Sequence, residues 1–341
     1  MFLRAALALG ALLVAVVGFE AAMRALDLFG VNHGPNTLRY RQEALVPTWF
    51  AADGSRDLDG TLFRHRPGAT TDFGTFRIRT NRLGFRGPEV EPAKPPDVCR
   101  IVVLGDSVTL GWGIEDEDTF CRRVERTLNA RGDRRYEVIN TGHLSYDTMQ
   151  EAALLEREAI ALQPDVVLLV FVTNDVVDPT RVMIEALLDG KTEVPGSAPT
   201  LADRVVHTGQ RFLPAWTALL QSVTARLRAT APRAGEEHAL APESVPFGSL
   251  GWERSQAALR RIRDLCAARG VKFAVLDHTL PPLPVLETFC AAEGIPRHDF
   301  RFTAEELGRP IYNSFIDSHA NALGNELLAE KALRALATLL P

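Results

Sequence analysis

The segment that most constrains the fold of this chain is a short apolar run that ends in a polar turn. Residues 100–104 form the run, and Gly105, Asp106 and Ser107 follow it directly. Apolar, β-branched runs of this kind are typical of buried strands in parallel sheets. Ligands bind at the carboxyl ends of such strands in open α/β sheets. The sequence therefore predicts that the Ser107 hydroxyl faces a crevice; the alternative is that Ser107 is only a helix N-cap.

Two more strand-like runs, at residues 136–139 and 166–171, also end in polar residues. The first precedes Gly142, and the second precedes Asn174 and Asp175. Segments with helical periodicity lie between and after these strands, at residues 119–131, 148–162 and 255–269. Repeated strand–helix units imply a parallel sheet with right-handed crossovers. The order of the elements therefore favours an α/β core.

Near the C-terminus, Asp317, Ser318 and His319 precede a last predicted helix, which Asn321 caps. With these residues the chain resembles the SGNH (GDSL-type) hydrolase superfamily, whose sequence blocks contribute Ser, Gly, Asn and His in that order. The matching positions, spread from about residue 100 to the C-terminus, are Ser107, Gly142, Asn174 and His319. The resemblance implies a flavodoxin-like three-layer α/β/α sandwich.

Acyl transfer through a serine needs a base for the hydroxyl proton and donors for the tetrahedral oxyanion. The resemblance implies Ser107 as nucleophile and His319 as base. It also implies an oxyanion hole built from the backbone N–H groups of Ser107 and Gly142 and from the amide of Asn174. His278, at the end of a strand predicted at 271–276, is the competing base on the same side of the sheet.

The acid that orients the histidine departs from the family pattern. Members usually place Asp three residues before the histidine, but Ile316 stands there, and Asp317 is the nearest carboxylate. The shorter Asp-x-His spacing is similar to that of alginate-type O-acetyltransferases related to this family. Side chains two residues apart in an extended segment point the same way, so Asp317 is the predicted orienting acid. A backbone carbonyl is the alternative partner.

Three further polar residues near these blocks are predicted to bind substrate: Asp106, His143 and Asp175. A surface position is the alternative for His143. Asp175, Asp178 and residues 115–118 could together bind a cation, and a solvated acidic face is the simpler explanation of them. The sequence predicts no metal and no cofactor. Thr109 stands where a Gly-x-Ser-x-Gly hydrolase would have its last glycine, which excludes that motif.

These residues predict a serine esterase that hydrolyses carboxylic (acyl or acetyl) esters of small molecules or carbohydrates. The alternatives are an envelope polysaccharide O-acetyltransferase that uses the same Ser-His-Asp site, and a catalytically inactive carbohydrate-binding relative. The net charge of −5, without a basic block, argues against nucleic acid as a partner.

The N-terminus carries an apolar run from residue 5 to residue 19, extended to Met23 and preceded by Arg4. A bilayer span needs about 20 apolar residues, whereas a signal-peptide core needs about 7–15. No small-residue cleavage site follows the run. We therefore expect residues 1–25 to be an uncleaved signal anchor with Arg4 in the cytoplasm and the main domain exported to the periplasm or exterior. A cleaved signal peptide, which would release the protein, and a buried amphipathic helix are the alternatives.

The remaining organisation follows from composition. Residues 26–97 alternate apolar and polar residues and end in a Pro-rich connector, which predicts a small β-rich appendage and linker. Its segment Asn81-Arg-Leu-Gly-Phe-Arg-Gly87 is similar to membrane-anchored bacterial members of the family. Residues 98–341 form the predicted hydrolase domain, with an insertion at 179–250 that is either an active-site lid or a decorative excursion.

The chain has four cysteines, at positions 99, 121, 266 and 290. An even number in an exported protein is consistent with disulfides, but three pairings are possible. Unpaired core cysteines are the alternative.

Overall fold

The computed structural model describes residues 2–176 and 249–340, together with residues 208, 213, 215–217, 219–221, 223 and 224. The insertion predicted at 179–250, with its expected helix at 181–188, therefore lies almost entirely outside the described residues. The described residues of the other expected insertion helix, at 215–227, are helical. The chain divides into two compact units: residues 1–41, 195–236 and 312–318, and residues 42–194, 237–311 and 319–341.

The first unit begins with helix α1, Phe2–Ala25, followed by a short 3-10 helix, Leu28–Gly30, and by α2, His33–Glu43. Most apolar side chains of α1 are exposed, including Leu7 and Leu13. The helix is long and apolar enough to cross a membrane. It is compatible with a signal anchor or with a signal peptide.

Glu20 interrupts the apolar surface of α1 and binds the insertion within the first unit. Its carboxylate accepts the backbone N–H groups of Ala215 and Trp216, at 2.9 and 3.2 Å. The Phe19 and Trp216 rings lie 5.1 Å apart. Because backbone N–H groups at the start of a helical segment lack intrahelical acceptors, Glu20 satisfies two of them and fixes residues 215 and 216 on α1.

The second unit begins with four short strands, which lie in the segment predicted to be β-rich, residues 26–97. The same segment contains α2, which the alternating pattern did not predict. The four strands form two antiparallel pairs. The strands are β1 (Leu45–Pro47) with β2 (Phe63–His65), and β3 (Thr70–Asp72) with β4 (Arg77–Arg79).

A five-stranded parallel sheet forms the centre of the second unit and confirms the predicted fold class. Its strands are β5 (Val98–Leu104), β6 (Arg135–Asn140), β7 (Val166–Phe171), β8 (Lys272–Asp277) and β9 (Arg297–Asp299). The spatial order is β6-β5-β7-β8-β9. The run at residues 100–104 therefore lies in a central strand, buried along its whole length. From β5 the chain goes to β6 on one side and then to β7 on the other side. In open α/β sheets a crevice forms at the carboxyl end of the strands where the order reverses in this way.

Helices cover the sheet, as a three-layer sandwich requires. They are α3 (Ser107–Leu110), α4 (Phe120–Asn129), α5 (Thr148–Arg157), α6 (Ser249–Ala268), α7 (Pro284–Ala292), α8 (Ala304–Leu307) and α9 (Ala322–Leu339). Short 3-10 helices occur at Asp116–Asp118, Ala159–Leu162 and Thr173–Val176. Helix α5 packs on α6, and α4 packs on α9. Alternate apolar residues of β5 and β7, such as Val102 and Leu169, share one core with α5 and α6.

Two sequence expectations need refinement. The helix expected at 148–162 ends at Arg157, and a 3-10 helix continues it to Leu162, because Glu158 leaves the helical region and Pro164 follows. All four cysteines are free and buried. Burial raises the pKa of the Cys290 thiol to about 11 and that of Cys266 to about 12, so both stay protonated core side chains.

Candidate active site

Ser107 opens the single turn α3 directly after β5. Asp106 caps this turn, because its Oδ1 accepts the Val108 N–H at 2.9 Å. Gly105 has φ +153°, and a Cβ there would lie 2.1 Å from Thr109 Oγ1. Only glycine therefore allows the strand to turn this sharply into α3. Ser107 is 8% exposed, so little of it is open to solvent.

His319 faces Ser107 across the carboxyl end of the sheet. Its Nε2 lies 2.9 Å from Ser107 Oγ, although the two residues are 212 positions apart in the chain. Asn321 caps α9 through the N–H groups of Leu323 and Gly324, which fixes the chain just after the histidine. The Trp112 ring, fully buried, lies 6.4 Å from the His319 ring. A neutral imidazole at this distance can accept the serine proton.

Asp106 connects two of the predicted site residues. Its Oδ2 accepts Asn174 Nδ2 at 3.0 Å and lies 3.3 Å from Ser107 Oγ. The single Ser107 proton therefore has two acceptors, and the shorter distance is to His319. Asp106 was expected to bind substrate; the structure engages its carboxylate in capping α3 and in holding Asn174, which leaves it a supporting position.

Gly142 lies after β6, in close contact with α3. A Cβ at Gly142 would lie 2.2 Å from Leu110 N. Its N–H donates to Asn140 Oδ1 at 3.0 Å, so the group expected to face an oxyanion already has an acceptor. Ser145, three residues further, has φ +67°. Its N–H has no acceptor among the described residues.

His143, predicted to bind substrate or else to lie at the surface, faces neither a substrate crevice nor solvent. It is fully buried, and its ring stacks on the rings of His65 and Tyr146 at 3.8 and 4.3 Å. Its Nε2 accepts the His65 N–H at 3.2 Å, and Nδ1 contacts Thr141 O at 2.8 Å. Burial lowers the pKa of His143 well below its usual value. The predicted substrate contact is replaced by a packing role between β2 and the loop after β6.

Asp175 is buried as well, not part of a solvated face. Its Oδ2 accepts the Val172 N–H at 2.6 Å, and its Oδ1 accepts the Thr148 hydroxyl at 2.9 Å. Burial raises its pKa well above the usual range, and nearby Asp106 adds to this effect. Asp175 therefore joins the end of β7 to α5, and both of its carboxylate oxygens are engaged by these bonds.

His278, the competing base, lies at the end of β8 as expected. It is half-buried, its Nδ1 lies 2.9 Å from Phe300 O, and its ring packs on Phe300 and Phe302. Burial lowers its pKa. Within the described part of the chain, no hydrogen bond joins it to Ser107.

Asp317 belongs to the first unit, where several groups hold it. Its Oδ2 accepts Asn313 Nδ2 at 3.1 Å and lies 3.4 Å from His33 Nδ1. Its backbone N–H donates to Ser314 Oγ at 2.9 Å. The carboxylate is buried and fixed in that unit.

The acidic run at residues 115–118 is neutralised by arginines. Glu115 lies 3.4 Å from Arg77, and Asp118 lies 2.8 Å from Arg123. Glu115 and Asp118 form these ion pairs at a solvated surface, whereas Asp116 is buried beside Arg86 and Arg122, at 3.6 and 3.8 Å. Each of these carboxylates thus has an arginine partner, which argues against a cation site here.

Comparison with known proteins gives one family. The sequence model of the GDSL-like lipase/acylhydrolase family matches residues 103–327. A search of curated proteins found no match. The matched range contains Ser107, Asn174 and His319.

Two solved structures that this chain is similar to are an esterase and a lipase/acylhydrolase. One is the psychrotrophic esterase EstA from Pseudoalteromonas sp., with 13% identity, coverage of 71% of this chain and 98% of that chain, and a TM-score of 0.42. Another is a lipase/acylhydrolase from Enterococcus faecalis, with 16% identity, coverage of 70% and 96%, and a TM-score of 0.39.

Proposed function

The chain belongs to the GDSL-like lipase/acylhydrolase family and is a hydrolase that acts on ester bonds, and on this premise we propose that it is a serine esterase whose nucleophile is Ser107. The observation that carries the proposal is the 2.9 Å distance between Ser107 Oγ and His319 Nε2. A serine hydroxyl is a weak nucleophile until an adjacent base takes its proton. His319 is the residue that hydrogen-bonds this hydroxyl as such a base would.

In the proposed first step, Ser107 Oγ attacks the ester carbonyl while its proton passes to His319 Nε2. The tetrahedral intermediate collapses, and His319 gives the proton to the departing alcohol. Water then attacks the acyl group on Ser107, with His319 again as base. The carboxylic acid leaves, and the Ser107 hydroxyl is restored.

Three donors serve the oxyanion in this proposal. Two are the Ser107 N–H, which has no acceptor among the described residues, and Asn174 Nδ2, which keeps a second hydrogen beside the one it gives to Asp106. The sequence predicts Gly142 for the third. The Gly142 N–H donates to Asn140 Oδ1 at 3.0 Å, so an oxyanion would take the place of this acceptor.

Asp317 is the proposed orienting acid. The support is its position two residues before His319, which directs the two side chains alike in an extended segment. A fixed carboxylate keeps the imidazole in one tautomer and stabilises the imidazolium that forms.

Purified full-length protein should cleave p-nitrophenyl acetate, and Ser107→Ala should remove nearly all turnover at an unchanged melting temperature. His319→Ala should cost as much as Ser107→Ala, because members of a triad act as a unit. His278→Ala is the matched control and should keep at least about half of the activity, because His278 is not a member of the proposed triad. Wild-type turnover of Ser107→Ala, or severe loss at His278 with none at His319, would contradict the proposal.

The finer substrate assignment is an acyl or acetyl ester of a small molecule or a carbohydrate. The Asp-x-His spacing keeps transfer to an envelope polysaccharide as the second candidate. Adding an oligosaccharide to the same assay separates the two: a hydrolase releases only free acid, whereas a transferase yields acylated sugar.

We also propose that α1 anchors the protein and that the hydrolase domain is exported. The exposed apolar surface of α1 and the position of Arg4 in its first turn, ahead of the apolar run, support this orientation.

A further inference from the structure

The turn that carries Ser107 is too short to hold its own shape. Helix α3 spans only Ser107–Leu110. A single helical turn does not persist in isolation, because nucleation fixes several residues for one hydrogen bond. Asp106 caps its N-terminal end. The groups that bind the carbonyls at its other end therefore decide where Ser107 lies.

One side chain, that of Arg86, binds most of these carbonyls. Its Nη1 donates to Leu110 O at 2.7 Å and to Gly111 O at 2.8 Å. Its Nη2 donates to Ile114 O at 2.7 Å. The Arg86 side chain is fully buried. A buried guanidinium bound to carbonyls at the end of a helix also has a favourable interaction with the helix dipole.

Arg86 comes from the segment Asn81–Gly87, which the proposed reaction does not otherwise use. Asn81 Oδ1 accepts the N–H groups of Leu83 and Phe85, at 2.9 and 3.0 Å, and so shapes the turn. Phe85 is buried in the main core. Arg86 forms backbone bridges with Thr80 and with Asn140, at the end of β6. The segment is thus anchored on both sides of the arginine.

The same region supports the turn through apolar contacts. Trp112, just after α3, packs against Phe73 and Phe76 of the β3–β4 hairpin, with ring centroids 5.4 and 5.3 Å away. Trp112 also faces His319. Residues 70–87 therefore contact the part of the chain that carries the nucleophile and, through Trp112, the part that carries the base.

We propose that Arg86 is a positioning residue for ester hydrolysis. It holds the carbonyls of Leu110, Gly111 and Ile114 and thereby keeps Ser107 Oγ at the distance from His319 that proton transfer requires. This rests on the proposed role of Ser107 as nucleophile. Lysine cannot replace it, because an ammonium is a point charge without the planar fork that reaches three carbonyls at once. Residues 81–87 then belong to the active-site support, beyond packing on the core.

A matched control lies toward the amino end of β5, the strand whose carboxyl end leads to Ser107. Arg100, in β5, is also fully buried and donates to three backbone carbonyls, Leu162 O at 2.7 Å, Glu91 O at 3.0 Å and Pro92 O at 3.4 Å. It also pairs with Glu137 at 2.7 Å. Arg100→Lys therefore removes a comparable buried network at the amino end of β5, far from Ser107.

The test compares Arg86→Lys and Arg100→Lys in the full-length protein. For Arg86→Lys we expect kcat for p-nitrophenyl acetate to fall by about 10- to 100-fold with little change in KM, because small misplacements of reacting groups are costly. The rate of phosphonylation by a fluorophosphonate, which bonds to an activated serine as fluoride leaves, should fall in parallel while the final stoichiometry stays the same. Both variants should lower the melting temperature by similar amounts. Arg100→Lys, however, should keep kcat and the phosphonylation rate at the wild-type level.

The labelling rate is measured per folded chain after size-exclusion chromatography, so a partly unfolded variant still reports. Equal rates in Arg86→Lys and wild type, or equal losses in both lysine variants, would overturn the positioning role. Ser107→Ala is included in the same series. If it still turns over ester or is labelled, the proposed nucleophile is wrong; if it is inert and Arg86→Lys reacts at the wild-type rate, only the inference about Arg86 fails.

Discussion

At the scale of single residues, Asn174 is the side chain on which the proposed oxyanion site most directly depends. The other proposed donors are backbone groups, whereas Asn174 contributes an amide held by Asp106 at 3.0 Å. Asn174→Ala should lower kcat about 10²- to 10³-fold with a small effect on KM, because the donor acts mainly on the transition state. Its side chain is exposed, so the stability should change by no more than about 0.5 kcal/mol. Steady-state kinetics and a melting curve measure both; a kcat within about twofold of wild type contradicts the donor role.

Residue identity also explains which parts of the site the sequence could predict. Ser107 and His319 each stand at the end of a strand-like or extended segment and in a recognisable sequence motif. The proximity of their side chains was therefore predictable. The burial of Glu151 was not. Glu151 lies on an amphipathic helix, where a charged residue normally faces water. The structure buries it completely, and neither carboxylate oxygen has a hydrogen-bond partner among the described residues. Burial, with Asp175 nearby, raises its pKa well above the usual range.

At the scale of elements, the stacked rings of His65 and His143 join β2 to the loop after β6. In the neutral tautomer that fits both contacts, His143 Nδ1 donates to Thr141 O and Nε2 accepts the His65 N–H. Protonation of Nε2 would remove that acceptor. Burial lowers the pKa of His65 to about 3, and Arg64 and Arg86 add to the effect. Both rings therefore stay neutral in the folded protein at pH values where the same two histidines are protonated in the unfolded chain.

The stability should consequently fall as the solution is acidified. The folded pKa values lie below the unfolded value of about 6.5, so the unfolded state binds more protons between these values. The stabilisation is complete above about pH 6.5 and is lost toward pH 3, by at most about 1.4 kcal/mol per pH unit for each histidine. Urea unfolding at several pH values should show a shallower slope for His143→Gln than for wild type. An unchanged slope would show that His143 does not carry this dependence.

The elements themselves were largely predictable because periodicity and end signals agreed. Residues 166–171 form β7 as expected, and Asn321 caps α9 as expected. The pattern did not reveal how Arg86 and Trp112 connect the small strands to α3, because those contacts join residues 24 or more positions apart through side chains. A binary pattern of apolar and polar residues reports burial within an element, and it does not report which neighbour satisfies a buried guanidinium.

At the scale of the whole molecule, the predicted arrangement is an anchored chain with an exported hydrolase domain. Helix α1 has mostly exposed apolar side chains, which water would disfavour and a bilayer would accept. The four cysteines are buried and free, so the domain does not depend on disulfides in an oxidising compartment. The first unit has its own small core of Met23, Val31 and Ala215, which ties the end of α1 to the insertion.

We therefore expect the full-length protein to remain in the membrane fraction after carbonate extraction, with its N-terminal residues intact. Protease added to the outer face of the inner membrane should digest the hydrolase domain, because the proposed orientation, with Arg4 on the cytoplasmic side, exports that domain. A maleimide should label the cysteines only after denaturation, without prior reduction, because all four are buried thiols.

Replacing Leu7 and Leu13 of α1 by Glu is the matched test of the anchor, since two charges in the middle of a span are costly in a bilayer. That variant should lose stable membrane insertion. Recovery of wild-type protein in a soluble, N-terminally shortened form would instead identify α1 as a cleaved signal peptide.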